Sequence, residues 1–159
     1  MKYFISPHND DEALWGLKII KIEKPTVIIV THATTQGDNG YERTIESYKA
    51  MKKLGVSVMF LGIDEDKLTE ELLYDKLSDL KAELVYCPEL EGGHDHHDIV
   101  SRVCSQLFMV KYYKTYTKIE KTGERDFDRD ILDCYKTQID NPMTKHYFYE
   151  DNMGDRSNV

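Results

Sequence analysis

The sequence predicts an α/β fold built on a mostly parallel sheet, and three observations carry the prediction. Short, nearly continuous apolar runs recur along the chain, as strands buried on both faces require. Stretches with helical apolar spacing separate them, which is the pattern of βαβ units. Three polar clusters each follow directly on an apolar run. In open α/β sheets that is where ligands gather, beyond the carboxyl ends of the strands.

Residues 2–6 (KYFIS), 26–33 (TVIIVTHA), 57–62 (SVMFLG) and 83–87 (ELVYC) read as buried strands, mostly rich in Val, Ile, Phe and Tyr. Residues 110–118 (VKYYKTYTK) read as a further strand near a sheet edge, because the run is polar and lysine-rich. A helix is expected over 11–21, with Ala13, Leu14, Leu17 and Ile20 on one face. A second is expected over 40–54, with Ile45, Tyr48, Met51 and Leu54 in phase and Gly55 as the stop. Residues 67–80 carry Leu68, Leu72, Leu77 and Leu80, and 97–109 and 127–139 are also periodic. One domain is expected over 1–140, followed by a polar tail over 141–159. Its last stretch, YEDNMGDRSNV, is expected to be frayed.

A length of 159 residues suits one domain with its own core. With 40% apolar and 31% charged residues the composition is that of a soluble globular protein. The net charge of -8 argues against a general nucleic-acid binder. Lys111, Lys114, Lys118 and Lys121 read as a solvated face. Cys87, Cys104 and Cys134 are odd in number and show no CxxC spacing, so they are expected to be reduced thiols in a cytoplasmic protein. No apolar run approaches membrane-spanning length, and the N-terminus lacks a signal-peptide pattern.

Two clusters carry chemistry. In SPHNDDEALWG (6–16), His8 and Asp11 are three apart across a strand-to-helix turn, a spacing that can bring an imidazole nitrogen and a carboxylate oxygen to one point. Asp10 lies between them and would face the cleft. Helix capping explains one acid here, but neither His8 nor two further acids crowded beside it. In ELEGGHDHHD (89–98), three of the six histidines fall within four positions, which favours metal binding over a bland surface loop. Together the clusters offer two histidines and a carboxylate, the donor set of an open catalytic zinc site. A spare carboxylate and a spare histidine remain for proton transfer and for a developing tetrahedral species. The residues alone therefore point to metal-assisted hydrolysis of an acyl bond.

SPHNDDEALWG resembles the (A/S)-H-P-D-D-E signature of the PIG-L/LmbE-like zinc-dependent de-N-acetylases, and HDHHDIV (94–100) resembles that family's H-P-D-H-x-x-V. Gly37 through Gly40, Arg43, Glu46, Ala50 and LGV (54–56) resemble its Gly-containing loop and following helix. ILDCYKTQI (131–139) is similar to its A-L-x-x-Y-x-S-Q segment. The resemblance spans about residues 2–139 in the family's order, and four matching segments are far more specific than one. It implies a Rossmann-like three-layer sandwich with a sheet of about five strands. His8, Asp11 and His97 would be metal ligands and Asp10 the general base. His94 would stabilise the oxyanion. Arg43, Tyr135 and Gln138 would be substrate-binding candidates, Tyr135 and Gln138 being equally open to a fold-supporting role, and Arg43 to an ordinary salt bridge with Glu46 or Glu42. Glu12 would support the helix terminus. The implied reaction removes an N-acetyl group from an N-acetylglucosamine-type sugar or conjugate. The implied ion is zinc; iron(II) and manganese(II) accept the same donors.

Departures from the family pattern are specific. Asn9 replaces a proline, which is expected to loosen the turn while keeping the ligand spacing. His96 replaces an acid and becomes a rival ligand to His97. Many relatives continue further, and the missing stretch helps shape the pocket, so a different substrate and a homo-oligomer are both compatible with this chain. The alternatives to deacetylation are hydrolysis of another amide or acyl substrate, and a non-catalytic metal- or sugar-binding member of the fold. Trp15 reads as packing or as a sugar-stacking ring, and Tyr112, Tyr113 and Tyr116 as half-buried strand residues or a sugar or partner surface.

Overall fold

The computed structural model describes residues 1–33, 39–116, 125–142 and 144–149. Five parallel strands form one sheet: β1 (Lys2–Ser6), β2 (Thr26–His32), β3 (Val58–Asp64), β4 (Leu84–Pro88) and β5 (Val110–Tyr113), in the order β3-β2-β1-β4-β5. The described helices are α1 (Asp11–Leu14), α2 (Leu17–Glu23), α3 (Asn39–Lys53), α4 (Glu70–Leu77), α5 (Asp95–Leu107), α6 (Arg129–Leu132) and α7 (Lys136–Ile139). Single 3-10 turns cover Glu65–Lys67 and Lys145–Phe148.

Successive side chains of β1 point to opposite faces, and this alternation builds two cores. Phe4 packs with Ala13, Leu14, Leu17 and Ile20 of α1 and α2, Met51 of α3, and Ile131, Tyr135 and Phe148. Tyr3 and Ile5 pack on the other side with Leu73 and Leu77 of α4 and Val100, Val103 and Cys104 of α5. The result is the expected three-layer α/β sandwich with a parallel sheet.

Four elements depart from expectation, each for a local reason. The helix expected over 11–21 is two helices with a break at Trp15–Gly16. The break lies on β1: a Cβ on Gly16 would meet the Phe4 ring at 2.3 and 2.6 Å and the Glu12 carbonyl at 2.9 Å. The helix expected over 127–139 is the two single turns α6 and α7. The Asp128 side chain caps α6 by accepting from the Asp130 and Ile131 amides. β3 was expected to be buried but is an edge strand, with Met59 and Phe60 half-exposed, because among the described residues no further strand flanks it. β5 ends at Tyr113, short of the expected 118; residues 117 and 118, like Lys121, lie outside the described residues.

Packing also runs past position 140. Phe148 is fully buried, its ring 6.2 Å from that of Tyr135, and its carbonyl accepts from Arg129 at 2.8 Å. Of the stretch expected to be frayed, 150–159 lies outside the described residues. Among the described residues no helix is long and apolar enough to cross a membrane.

The Gly16–Phe4 contact generates a stability prediction. Gly16→Ala should lower the unfolding free energy by about 1–3 kcal/mol through overpacking, read by urea denaturation. An unchanged midpoint would mean that the Phe4 ring moves aside without cost.

Candidate metal centre

β1 lies between β2 and β4, so the strand order reverses beside it and a crevice opens at the carboxyl ends of β1 and β4. The turn leaving β1 is tightly tied. Thr31 of β2 donates to the Pro7 carbonyl from both its amide (3.1 Å) and its hydroxyl (2.8 Å). The Asp10 amide donates to the His8 carbonyl at 3.0 Å. Asn9 is buried, and its amide donates to Ser47 of α3 at 3.2 Å. The turn expected to be loosened by the missing proline is thus anchored through the asparagine side chain.

This turn aims Asp11, which has no solvent exposure. Its Oδ2 accepts the His8 backbone N–H at 3.0 Å and lies 3.1 Å from His8 Nδ1 and 3.2 Å from His97 Nε2. Its Oδ1 accepts the Trp15 indole N–H at 3.0 Å. The second half of the site comes from the β4–α5 loop. The Asp98 carboxylate accepts the backbone N–H groups of Glu91 (2.7 Å), Gly92 (3.1 Å) and Gly93 (3.1 Å). Gly92, with φ 78, supplies a left-handed step that an L side chain would strain. This fold-back delivers His94 to the N-terminus of α5 and His97 to its first turn.

His8, Asp11 and His97 therefore meet at one point, and His94 joins them: ring nitrogens of His8, His94 and His97 all lie within 4.8 Å of one another. A cation fits these residues on a direct observation. His94 Nδ1 is buried with no hydrogen-bond partner among the described residues, and the buried His97 Nε2 faces the Asp11 carboxylate at 3.2 Å, an arrangement that a bound cation would complete. His97 Nδ1 is 3.4 Å from Thr115 Oγ1, whose hydroxyl donates to Glu91, so the outer nitrogen of that ring is occupied and the inner one remains. His8 Nε2 is 2.7 Å from His96 Nδ1. His96 thus meets His8 and stands outside the set formed by His8, His94 and His97.

Three adjacent acids sit in three environments. Burial opposes the charge of Asp11, but His97 and His8 outweigh it and hold the carboxyl well below its ordinary value. Burial and the neighbouring Asp11 charge push Asp10 up to about 7, with Arg43 and His8 pulling back. Burial raises Glu12 as well, against donors from Tyr135 (2.6 Å), Ser47 (2.8 Å) and Ser6 (2.9 Å). Burial, with the His97 and His8 charges, lowers His94 to about 4, so its ring is neutral at physiological pH.

The substrate candidates fall in different places. Arg43 is buried at the cleft, 3.7 Å from Glu65 and close enough to Asp10 to favour its charge. Glu46 instead holds Thr137, accepting from its amide at 2.9 Å and its hydroxyl at 2.6 Å. Tyr135 is fully buried with its hydroxyl on Glu12, and Gln138 is buried against Thr137 and Thr144. Both occupy fold-supporting positions. Trp15, Thr115 and Tyr116 contact the site's histidines and Asp11; the sequence offered Trp15 and Tyr116 as packing or as sugar-facing rings and gave Thr115 no part. Trp15 holds Asp11 four residues back along one helical turn, a spacing that could have revealed it. Tyr116, at φ 42, stacks on His94 with ring centroids 5.0 Å apart, a contact that its place in a tyrosine-rich run does not reveal.

The sequence matches the PIG-L family, GlcNAc-PI de-N-acetylase, over residues 3–108, and the chain belongs to that family. No curated protein matches significantly. Among solved structures, the N,N'-diacetylchitobiose deacetylase of Pyrococcus horikoshii aligns over 99% of this chain and 73% of its own at 13% identity, TM-score 0.61. The zinc-inhibited form of teicoplanin deacetylase Orf2 aligns over 98% and 89% at 13% identity, TM-score 0.60. GalB, the 4-carboxy-2-hydroxymuconate hydratase of Pseudomonas putida KT2440, aligns over 98% and 84% at 15% identity, TM-score 0.58. At such identities the likeness establishes the fold. A hydratase among the neighbours means that the reaction must be argued from the site.

The Glu12 network generates a pH prediction. A carboxyl raised on folding loses stability for the fold as pH climbs above its ordinary 4.5, and the three donors limit that loss. Tyr135→Phe should cost about 1–3 kcal/mol near neutral pH, and less in acid, where Glu12 is protonated in both states. Urea unfolding of both proteins across the pH range checks this, and a loss independent of pH would assign Tyr135 to packing alone.

Proposed function

We propose that the protein is a metal-dependent amide hydrolase that removes the N-acetyl group of an N-acetylglucosamine-type sugar or conjugate. The observation carrying this reading is the meeting of Asp11 with His8 and His97 beside a buried Asp10 held at about 7. Family membership and deacetylases among the structural neighbours support the reaction class.

His8, Asp11 and His97 would hold one divalent cation, zinc or another ion that accepts two imidazoles and a carboxylate. When bound, such a cation supplies Lewis acidity, easing deprotonation of water near neutral pH. Asp10 takes the proton of the attacking water; a carboxyl near 7 is both available as a base and able to return the proton. His94, neutral and braced on Tyr116, meets the negative charge that develops on the carbonyl oxygen. The water oxygen joins the carbonyl carbon, the C–N bond breaks, and the proton held on Asp10 passes to the departing amine. Arg43, whose charge acts on Asp10, would contact substrate.

Acetate release from a panel of N-acetylglucosamine derivatives tests the reading. Release that chelation abolishes and metal restores is expected; firm metal binding without release from any derivative would favour another acyl substrate or a binding role. Asp10→Asn should retain metal and lose at least about 100-fold in kcat, the contribution of a general base. His97→Ala should lose metal on dialysis, measured as bound ion per chain. Unchanged metal content would move the third ligand to His94 or His96.

A further inference from the structure

We propose that His96 is a positioning residue: through its hydrogen bond to His8 it sets the tautomer of that ring and keeps His8 Nδ1 open toward the cation. The inference rests on the metal centre proposed above and concerns a residue this chain has where the family resemblance expects an acid.

The argument follows the nitrogens. His8 Nδ1 faces Asp11 Oδ2 at 3.1 Å, on the side where His97 Nε2 also lies. His8 Nε2 faces away from that point and lies 2.7 Å from His96 Nδ1. Two imidazole nitrogens this close share one proton, one donating and one accepting. A cation held by His8 Nδ1 takes the lone pair of that nitrogen, so the one N–H of a neutral His8 ring lies on Nε2. His96 Nδ1 then accepts from His8 Nε2–H with its lone pair, and this hydrogen bond favours the His8 tautomer with a bare Nδ1. His8 Nδ1 is then unprotonated, the form a cation requires.

The two ends of the relay are fixed by different elements. His8 is held by the turn after β1 through its own backbone N–H on Asp11. His96 rides the first turn of α5. His97 is served in the same way by Thr115, which occupies its Nδ1 and leaves Nε2 inward. His96 therefore does for His8 what Thr115 does for His97. A direct ligand role fits less well, because the set of imidazoles that converge is His8, His94 and His97.

The test is zinc affinity by competition with a chromophoric chelator, for wild type, His96→Ala, His96→Asn and His96→Gln, with thermal unfolding of the metal-free proteins as a check on folding. An asparagine Oδ1 falls near the place of a histidine Nδ1, whereas a glutamine reaches toward Nε2. His96→Ala should bind zinc about 10–100-fold more weakly, the usual loss for a group that orients a ligand. His96→Asn should recover most of that loss and His96→Gln should not. The visible spectrum of the cobalt(II) form should be the same in His96→Asn as in wild type. Wild-type affinity in His96→Ala overturns the proposal. Failure of His96→Asn to recover affinity, or a changed cobalt spectrum, also overturns it and makes His96 a ligand. A wild-type protein that takes up no zinc or cobalt removes the metal centre itself, and with it this inference.

Discussion

The molecule is organised around one fully buried carboxylate. Removing an anion such as Asp11 from water costs several kcal/mol unless charges and donors surround it. Here an indole N–H, a backbone N–H and two imidazoles do so. They come from three elements, the β1 turn, the nearby α1–α2 junction and, far along the chain, the first turn of α5. Each must be in place for Asp11 to keep its charge, so the sheet order, the break at Gly16 and the fold-back at Asp98 all serve one point.

That arrangement also separates the tasks of neighbouring residues. Asp10, Asp11 and Glu12 share a composition and almost a position, yet only Asp11 gains enough opposing charge to stay strongly acidic. Asp10 is raised by burial and by Asp11 itself, so the charge on one acid creates the weaker acidity of the next. Glu12 turns inward and ties β1, α3 and Tyr135 together through hydroxyl groups. A run of like acids that seemed electrostatically wasteful in the sequence becomes a ligand candidate, a base candidate and a structural anchor.

Much of this was legible in the sequence because it follows from periodicity and spacing. The four apolar runs became strands, and His8, Asp11 and His97 converge because both clusters leave adjacent parallel strands at the same end. The helix breaks were hidden, since apolar spacing through Gly16 is continuous and only the nearness of Phe4 forbids a side chain there. β3 was misjudged because apolar content gives strand character without saying which strand lies at an edge. Thr115 escaped notice, and Tyr116 was not linked to the histidines, for a related reason: their contacts with His97 and His94 cross from the end of β5 to α5, and no local pattern records them. His96 read as a rival ligand because a sequence cannot tell which way a ring on the first turn of a helix will face.

The central place of β1 has a consequence for assembly. The strand pairs with β2 early in the chain but also with β4, Lys2 lying opposite Leu84, and the two halves of the candidate site are brought together by that second pairing. Such distant pairings form slowly, because the loop between them must close before any contact rewards it. A nascent chain therefore has no assembled site until β4 and α5 have emerged. Any ion that prefers the finished site then draws the whole sheet toward its native order, coupling ion capture to completion of the fold.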